Sequence, residues 1–209
     1  MEYLDKIKII SKKSKLRQDA DKIISELPNN KIVTDEILDY LGNKTTKLVE
    51  DNDIKNNYYV FFYDTIYLNT KHNNKFGRIC VIAHECIHSI QSKILQKINF
   101  ILSNLEILFF IISLVLDIFF KDYNFIFFIY LVIVLASITV RLILEIDAVR
   151  RSVILSDEYL NGRIETEKKK IIIDIYKFQT SFLLPLFLIN LVFFKLLRLM
   201  LIYILYYIF

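Results

Sequence analysis

Apolar and polar positions along the first half of this chain follow two periods, and the second half gives way to long apolar runs. In residues 3–27, Leu16, Ile23, Ile24 and Leu27 fall on one side and Lys and Asp on the other. That spacing predicts an amphipathic helix, stopped by Leu27-Pro28-Asn29-Asn30. Asp35 to Leu41 reads as a second short helix, closed by Gly42. Tyr58 to Tyr63 and Thr65 to Asn69 are β-branched and aromatic, which predicts two strands joined at Asp64, a small β-hairpin. After a polar loop from Thr70 to Lys75, residues 76–97 predict a single helix with Ile79, Ile82, Ile87, Ile90 and Ile94 on its apolar side. Arg78, His84, Glu85, His88, Gln91 and Lys93 interrupt that helix too often for a membrane span.

Residues 100–120 and 123–144 are each apolar over about 20 residues, the length that crosses roughly 30 Å of hydrocarbon. Lys121-Asp122 lies between them, so the pair reads as a transmembrane hairpin. A third apolar run from Phe182 to Phe209 is interrupted by Lys195 and Arg198 and is expected to be one long tilted span. Glu106 and Asp117 are expected near span ends, paired with lipid headgroups or with Lys97 and Lys121. The predicted fold class is therefore a mainly α membrane protein in four segments. Residues 1–98 hold the strands and the polar-faced helix, 99–144 the hairpin, 145–177 a juxtamembrane helix, and 178–209 a C-terminal transmembrane helix.

Composition agrees with that segregation. Mean hydropathy is +0.40 and 55% of residues are hydrophobic, yet 27 Lys and Arg stand against 23 acids. Between 99 and 144 the charged residues are Glu106, Asp117, Lys121, Asp122 and Arg141. Three Gly and two Pro favour long helices over a turn-rich β architecture. The net charge of +4 suits an anionic membrane surface, and no nucleic-acid-binding motif is present, so no nucleic-acid partner is expected. Cys80 and Cys86 would sit about 9 Å apart on one helix, too far for a disulfide, which fits a reducing compartment. Residues 1–15 are charged throughout and lack the apolar core of a signal peptide.

Candidate chemistry centres on His84-Glu85-Cys86-Ile87-His88. Helix positions i and i+4 lie one above the other, so two neutral imidazoles can reach one Zn²⁺ while Glu85 stands beside it as a general base. A catalytic zinc takes three protein ligands and keeps one position for water. His72, in the polar loop, reads as a solvated histidine. Glu145 is the stronger third ligand, because two crossings return the chain to the face that carries His84 and His88. Glu145 and Asp147 are about 200° apart around a helix and cannot both face one metal. Asp147 is expected to pair with Arg150 or Arg151, all three being candidate second-layer or substrate-contacting groups. The competing reading of Glu145 is a pair with Arg141, four residues back.

Ala83-His84-Glu85-Cys86-Ile87-His88-Ser89-Ile90-Gln91, then two apolar spans, then Glu145-Ile146-Asp147-Ala148-Val149-Arg150-Arg151, resembles the YugP-type neutral zinc metallopeptidases of bacterial membranes. That family runs approximately His-Glu-Val-Gly-His-Ala-Ile-Gln and then Glu-Phe-Asp-Ala-Ser-Arg-Arg. The resemblance covers roughly residues 16–209; Cys86-Ile87 replaces the family's Val-Gly, and the family's usual apolar N-terminal anchor is not expected in residues 1–15. It implies a zincin-like helix, a Zn²⁺ cofactor held by His84, His88 and Glu145, and a membrane-bound peptidase with Glu85 catalytic. A peptide or protein substrate is expected to pair with the edge of the Ile66 to Asn69 strand. Lys93, Lys97, Arg141, Arg150, Arg151, Lys168, Lys169, Lys170 and Lys177 flank the runs on one side, which predicts a cytoplasmic active site at the bacterial plasma membrane. The alternative is a membrane scaffold that binds a partner and retains a structural zinc.

Overall fold

The computed structural model describes residues 14–72, 75–119 and 124–208. It is mainly helical with one small sheet, in the order α1 (Ser14–Ser25), α2 (Asn30–Tyr40), β1 (Lys47–Asp51), β2 (Tyr58–Val60), β3 (Thr65–Asn69), α3 (Arg78–Ile90), α4 (Lys93–Phe119), α5 (Asn124–Leu160) and α6 (Thr166–Ile208). The chain forms two compact units, Met1–Ile90 with Ala148–Thr180 and Gln91–Asp147 with Ser181–Phe209. Residues 3–13 of the expected first helix lie outside the described residues.

Local chemistry explains where the helices start and stop. Asn29 caps α2, its side-chain oxygen accepting from the Ile32 amide at 3.0 Å, so this helix begins five residues earlier than its apolar spacing predicts. Beyond its end Gly42 takes φ +71°, and the amides of Gly42 and Asn43 return to the carbonyls of Asp39 and Leu38. The helix expected over 76–97 is two helices. α3 ends at Ile90, and Ser92 caps α4: its carbonyl accepts from the Gln96 amide and its hydroxyl from the Leu95 amide. A serine that can cap competes with one that continues a helix, and here capping prevails.

The sheet also departs from expectation. It has three strands in the order β1-β3-β2, with β1 parallel to β3 from Lys47↔Thr65 to Asp51↔Asn69 and β2 antiparallel to β3. β1 escapes a pattern search because Lys47, Glu50 and Asp51 surround only two apolar residues; pairing with β3 creates it. β3 is thus central, paired by β1 along Thr65–Asn69 and by β2 along Thr65–Tyr67, and is not the open edge strand expected to pair with a substrate. The free edges belong to β1 and β2. Asp64 makes the β2–β3 turn at φ +46°, and its carboxylate accepts from Thr45 at 2.5 Å, Thr46 at 2.7 Å and Tyr59 at 2.7 Å.

In the first unit α3 packs on β2, β3 and α2. Ile66 and Leu68 meet Ile79, Ile82, Ala83, Cys86 and Ile87 in a core shared with Ile24, Val33, Ile37, Ala148, Leu160, Ile172 and Tyr176. Each large aliphatic side chain buried this way contributes about 1.5–3 kcal/mol. Polar groups fix the helix along its axis. The Arg78 guanidinium donates to the Ile24 and Leu27 carbonyls at 2.9 and 3.4 Å, closing the C-terminal end of α1. Burial lowers the pKa of this arginine. The Phe76 amide donates to Asp21 at 2.6 Å, and the Tyr176 hydroxyl donates to the Phe76 carbonyl.

In the second unit Tyr130, Val134 and Ile202 form a buried cluster with Phe109, Phe110, Leu114, Ile138 and Leu199 around it. Among the described residues two helices are long and apolar enough to cross a membrane, Lys93–Leu116 with mean hydropathy 2.1 and Phe125–Leu160 with 2.6. Their exposed side chains include Ile101, Ile107, Leu108, Ile111, Phe125, Phe128 and Leu135. α5 does not stop at the expected boundary near 144 but runs unbroken to Leu160, carrying Glu145 within it.

Arg78→Ala should lower the stability of the detergent-solubilised protein by about 1–3 kcal/mol, because two carbonyls at the end of α1 lose a buried donor. Thermal melting followed by circular dichroism measures this, and an unchanged midpoint would show that the cap carries no weight.

Candidate metal centre

α3 presents its chemistry on the side away from its core. At 100° per residue, Ile79, Ala83, Cys86 and Ile87 cluster on one face, and His84 and His88 project from the other. Burial holds both cysteine thiols in the protonated form by raising their pKa values, with Glu85 adding to the effect at Cys86. Both are free thiols, as their spacing predicts. Cys80 lies 3.7 Å from the Ser152 hydroxyl, a packing contact within the first unit.

The two imidazoles lie edge to face, with ring centroids 4.6 Å apart and planes at 87°. Their Nε2 atoms are 3.1 Å apart. Two nitrogens bound to a tetrahedral zinc at the usual bond length stand about 3.3 Å apart, so the pair already has nearly the required separation. Among the described residues His84, His88 and Glu145 form a group able to hold a metal ion, one ligand atom from each lying within 4.8 Å of the others. Two imidazoles and one carboxylate are a donor set suited to zinc. All three side chains are half-buried, accessible enough to exchange a ligand. Glu85, directly after the first histidine, is 6% exposed.

The α5 segment around Glu145 is fixed by two contacts. Gln91 donates to the Leu144 carbonyl and to the Asp147 carboxylate, both at 2.8 Å. Asp147 is not among the three residues of that group. Arg141 meets Glu145 Oε1 at 2.9 Å, so the competing partner weighed from the sequence is also present. That pair engages one of the two carboxylate oxygens. Arg150 is exposed and Arg151 half-buried on the same helix. His72 ends a short 3₁₀ turn before α3.

Gln91 is the residue whose role the sequence conceals. A glutamine three residues after His88 looks like ordinary helix surface, whereas it is 8% exposed at a helix break and spends its amide on another helix. Its signal was positional: a polar residue just before a capping Ser92 has no helical hydrogen bonds to continue.

Titration with zinc should show about one ion per chain. His84→Ala and His88→Ala should each abolish stoichiometric binding and leave helical content unchanged, Glu145→Ala should weaken binding sharply, and Asp147→Ala should retain most of it. Arg141→Ala should leave affinity unchanged or raise it, because the cation competes with the metal for Glu145. Elemental analysis of the purified variants reads each outcome; full zinc content in a double His84→Ala, His88→Ala variant would remove the assignment.

No protein-family model matches this chain, and neither a curated protein nor a solved structure is similar to it.

Proposed function

We propose that the protein is a membrane-bound zinc metallopeptidase of the YugP type, hydrolysing peptide bonds with an attacking water. The observation that carries this reading is the convergence of His84, His88 and Glu145, with Glu85 directly beside the first ligand. A Zn²⁺ held there would lower the pKa of a water and polarise the scissile carbonyl. Glu85 takes the proton of the attacking water and passes it to the leaving amine nitrogen, so no net proton is consumed as the C–N bond breaks. Burial of Glu85 shields that transfer from bulk solvent. Among the described residues the group offers three ligands rather than four, which would leave the position that a hydrolytic site needs and a structural site fills.

An extended peptide would pair with the free edge of β2, the strand that packs on α3 and borders β3 on the far side from β1. Arg150, exposed three residues after Asp147, would meet a substrate carboxylate. The excess of Lys and Arg around residues 93–97, 141–151 and 168–177 supports a cytoplasmic catalytic face in a bacterial plasma membrane.

One observation favours a second reading. Arg141 already neutralises Glu145, so the segment is stable without a metal, as a partner-binding scaffold would require. Activity separates the two.

Glu85→Gln should keep its zinc and lose casein or peptide hydrolysis by about 10²–10⁴-fold, because the ligands survive and the proton acceptor does not. Equal hydrolysis by the wild type and this variant would leave the scaffold reading. Sidedness is tested on intact cells with a membrane-impermeant thiol reagent. A cysteine replacing Asp122 should label, whereas one replacing Glu165, exposed after α5, should be protected. Labelling at 165 alone would place the site outside, with envelope or secreted proteins as substrates.

A further inference from the structure

The apolar runs of the second unit contain few charges, and three of them meet. Glu106 is the one charged residue of α4 between Ile98 and Leu116, and Lys195 and Arg198 are the charged residues of 181–209. Glu106 is 2% exposed. Its carboxylate accepts from the Lys195 ammonium on one oxygen and from Arg198 Nη1 on the other at 3.0 Å. Lys195 donates in addition to the Ser137 hydroxyl of α5 at 2.9 Å. Glu106 was expected at a span end beside headgroups or Lys97; instead it stands in the middle of α4, and its partners come from α6.

The helix period explains how α6 satisfies both solvents. Lys195, Arg198, Leu199 and Ile202 recur at i, i+3, i+4 and i+7 and share one face, where Leu199 and Ile202 join the buried cluster with Tyr130 and Val134. The facing helices also use helical spacing, Glu106, Phe109, Phe110 and Leu114 (i, i+3, i+4, i+8) on α4 and Tyr130, Val134, Ser137 and Ile138 (i, i+4, i+7, i+8) on α5. The Arg198 guanidinium also lies 5.8 Å from the centre of the Phe110 ring. The other side of α6 is apolar and exposed, with Ile189, Phe193, Leu196, Met200 and Ile204 among its side chains. Large apolar surfaces of this kind are covered in the working protein. Ionisable groups in hydrocarbon turn inward and pair, as these three do.

We propose that residues 181–209 cross the bilayer as a third helix, with acyl chains covering the outward apolar face, and that Glu106, Lys195 and Arg198 are the intramembrane ion cluster holding it there. Without Glu106 the two cations would be uncompensated, and the segment would retreat to the headgroup region, where Lys and Arg reach water. The cluster is independent of the metal centre, and neither proposal needs the other.

The chain contains no tryptophan, so Phe193→Trp gives a single reporter on the outward face of α6. The full chain carrying this change is reconstituted in phosphatidylcholine vesicles brominated either midway along the acyl chains or near the headgroups. Mid-chain bromine should quench more strongly. Stronger quenching by shallow bromine would overturn the span, and absence of quenching by either lipid would overturn lipid as the occupant in favour of a second copy or water. Adding Glu106→Ala should abolish the preference for deep quenching. A triple change Glu106→Leu, Lys195→Leu, Arg198→Leu should restore it, because the run is then apolar throughout. Deep quenching unaltered by Glu106→Ala, or not restored in the triple variant, would overturn the ion cluster as the element that holds the helix.

Discussion

The dry face of α3 is the constraint on which the candidate site depends. Ile79, Ile82, Ala83, Cys86 and Ile87 are each no more than 1% exposed, packed on a sheet whose central strand supplies Ile66 and Leu68. A 13-residue helix has little intrinsic stability in water, so its rotation about its own axis is set by this burial rather than by propensity. Turning α3 to bury His84 would expose two isoleucines and strand two imidazoles. The core therefore aims the histidines, and the 3.6-residue period stacks them. Arg78, anchored to the end of α1, stops the helix from sliding along the sheet.

Charge removed from water has to be matched, and this rule governs both units separately. In the first, Arg78 finds backbone carbonyls and Asp64 gathers three hydroxyls at a strained turn. In the second, Glu106 gathers two cations, and Arg141 holds Glu145. These arrangements differ in their donors. Asp64 accepts from three neutral hydroxyls and fixes a turn, whereas Glu145 meets a cation, Arg141. The two histidines oppose nitrogen to nitrogen, an arrangement in which one must donate and the other accept unless a cation takes both lone pairs.

The legible parts of the sequence were those in which one residue's partners lie on its own helix. His84 and His88 meet because four residues make a turn. The α2 end at Gly42, the β2–β3 turn at Asp64 and the two apolar helices were read from local chemistry. What escaped depends on partners distant in the chain. β1 is charged and short, and exists by pairing with β3; its presence moves β3 from an edge to the centre. The break after Ile90 rests on Ser92 choosing to cap. Glu106 was expected to pair with headgroups or Lys97, because its actual cations lie 89 and 92 residues further along.

That break ties these threads together. Had residues 76–97 formed one helix, Gln91 would have spent its backbone on α3 and its side chain on whatever lay beside the last turn. Ending α3 at Ile90 and starting α4 at Lys93 puts Gln91 at a corner, where its amide grips both the Leu144 carbonyl and the Asp147 carboxylate. Those two anchors bracket Glu145 along α5, and a helix pinned on either side of one residue cannot turn that residue by 100° or shift it by a turn. Glu145 is thus held in phase by a residue from outside its helix. α5 is 37 residues long and largely apolar as far as Leu144, and over that stretch its own sequence sets no register; the polar side chain of Gln91 supplies one.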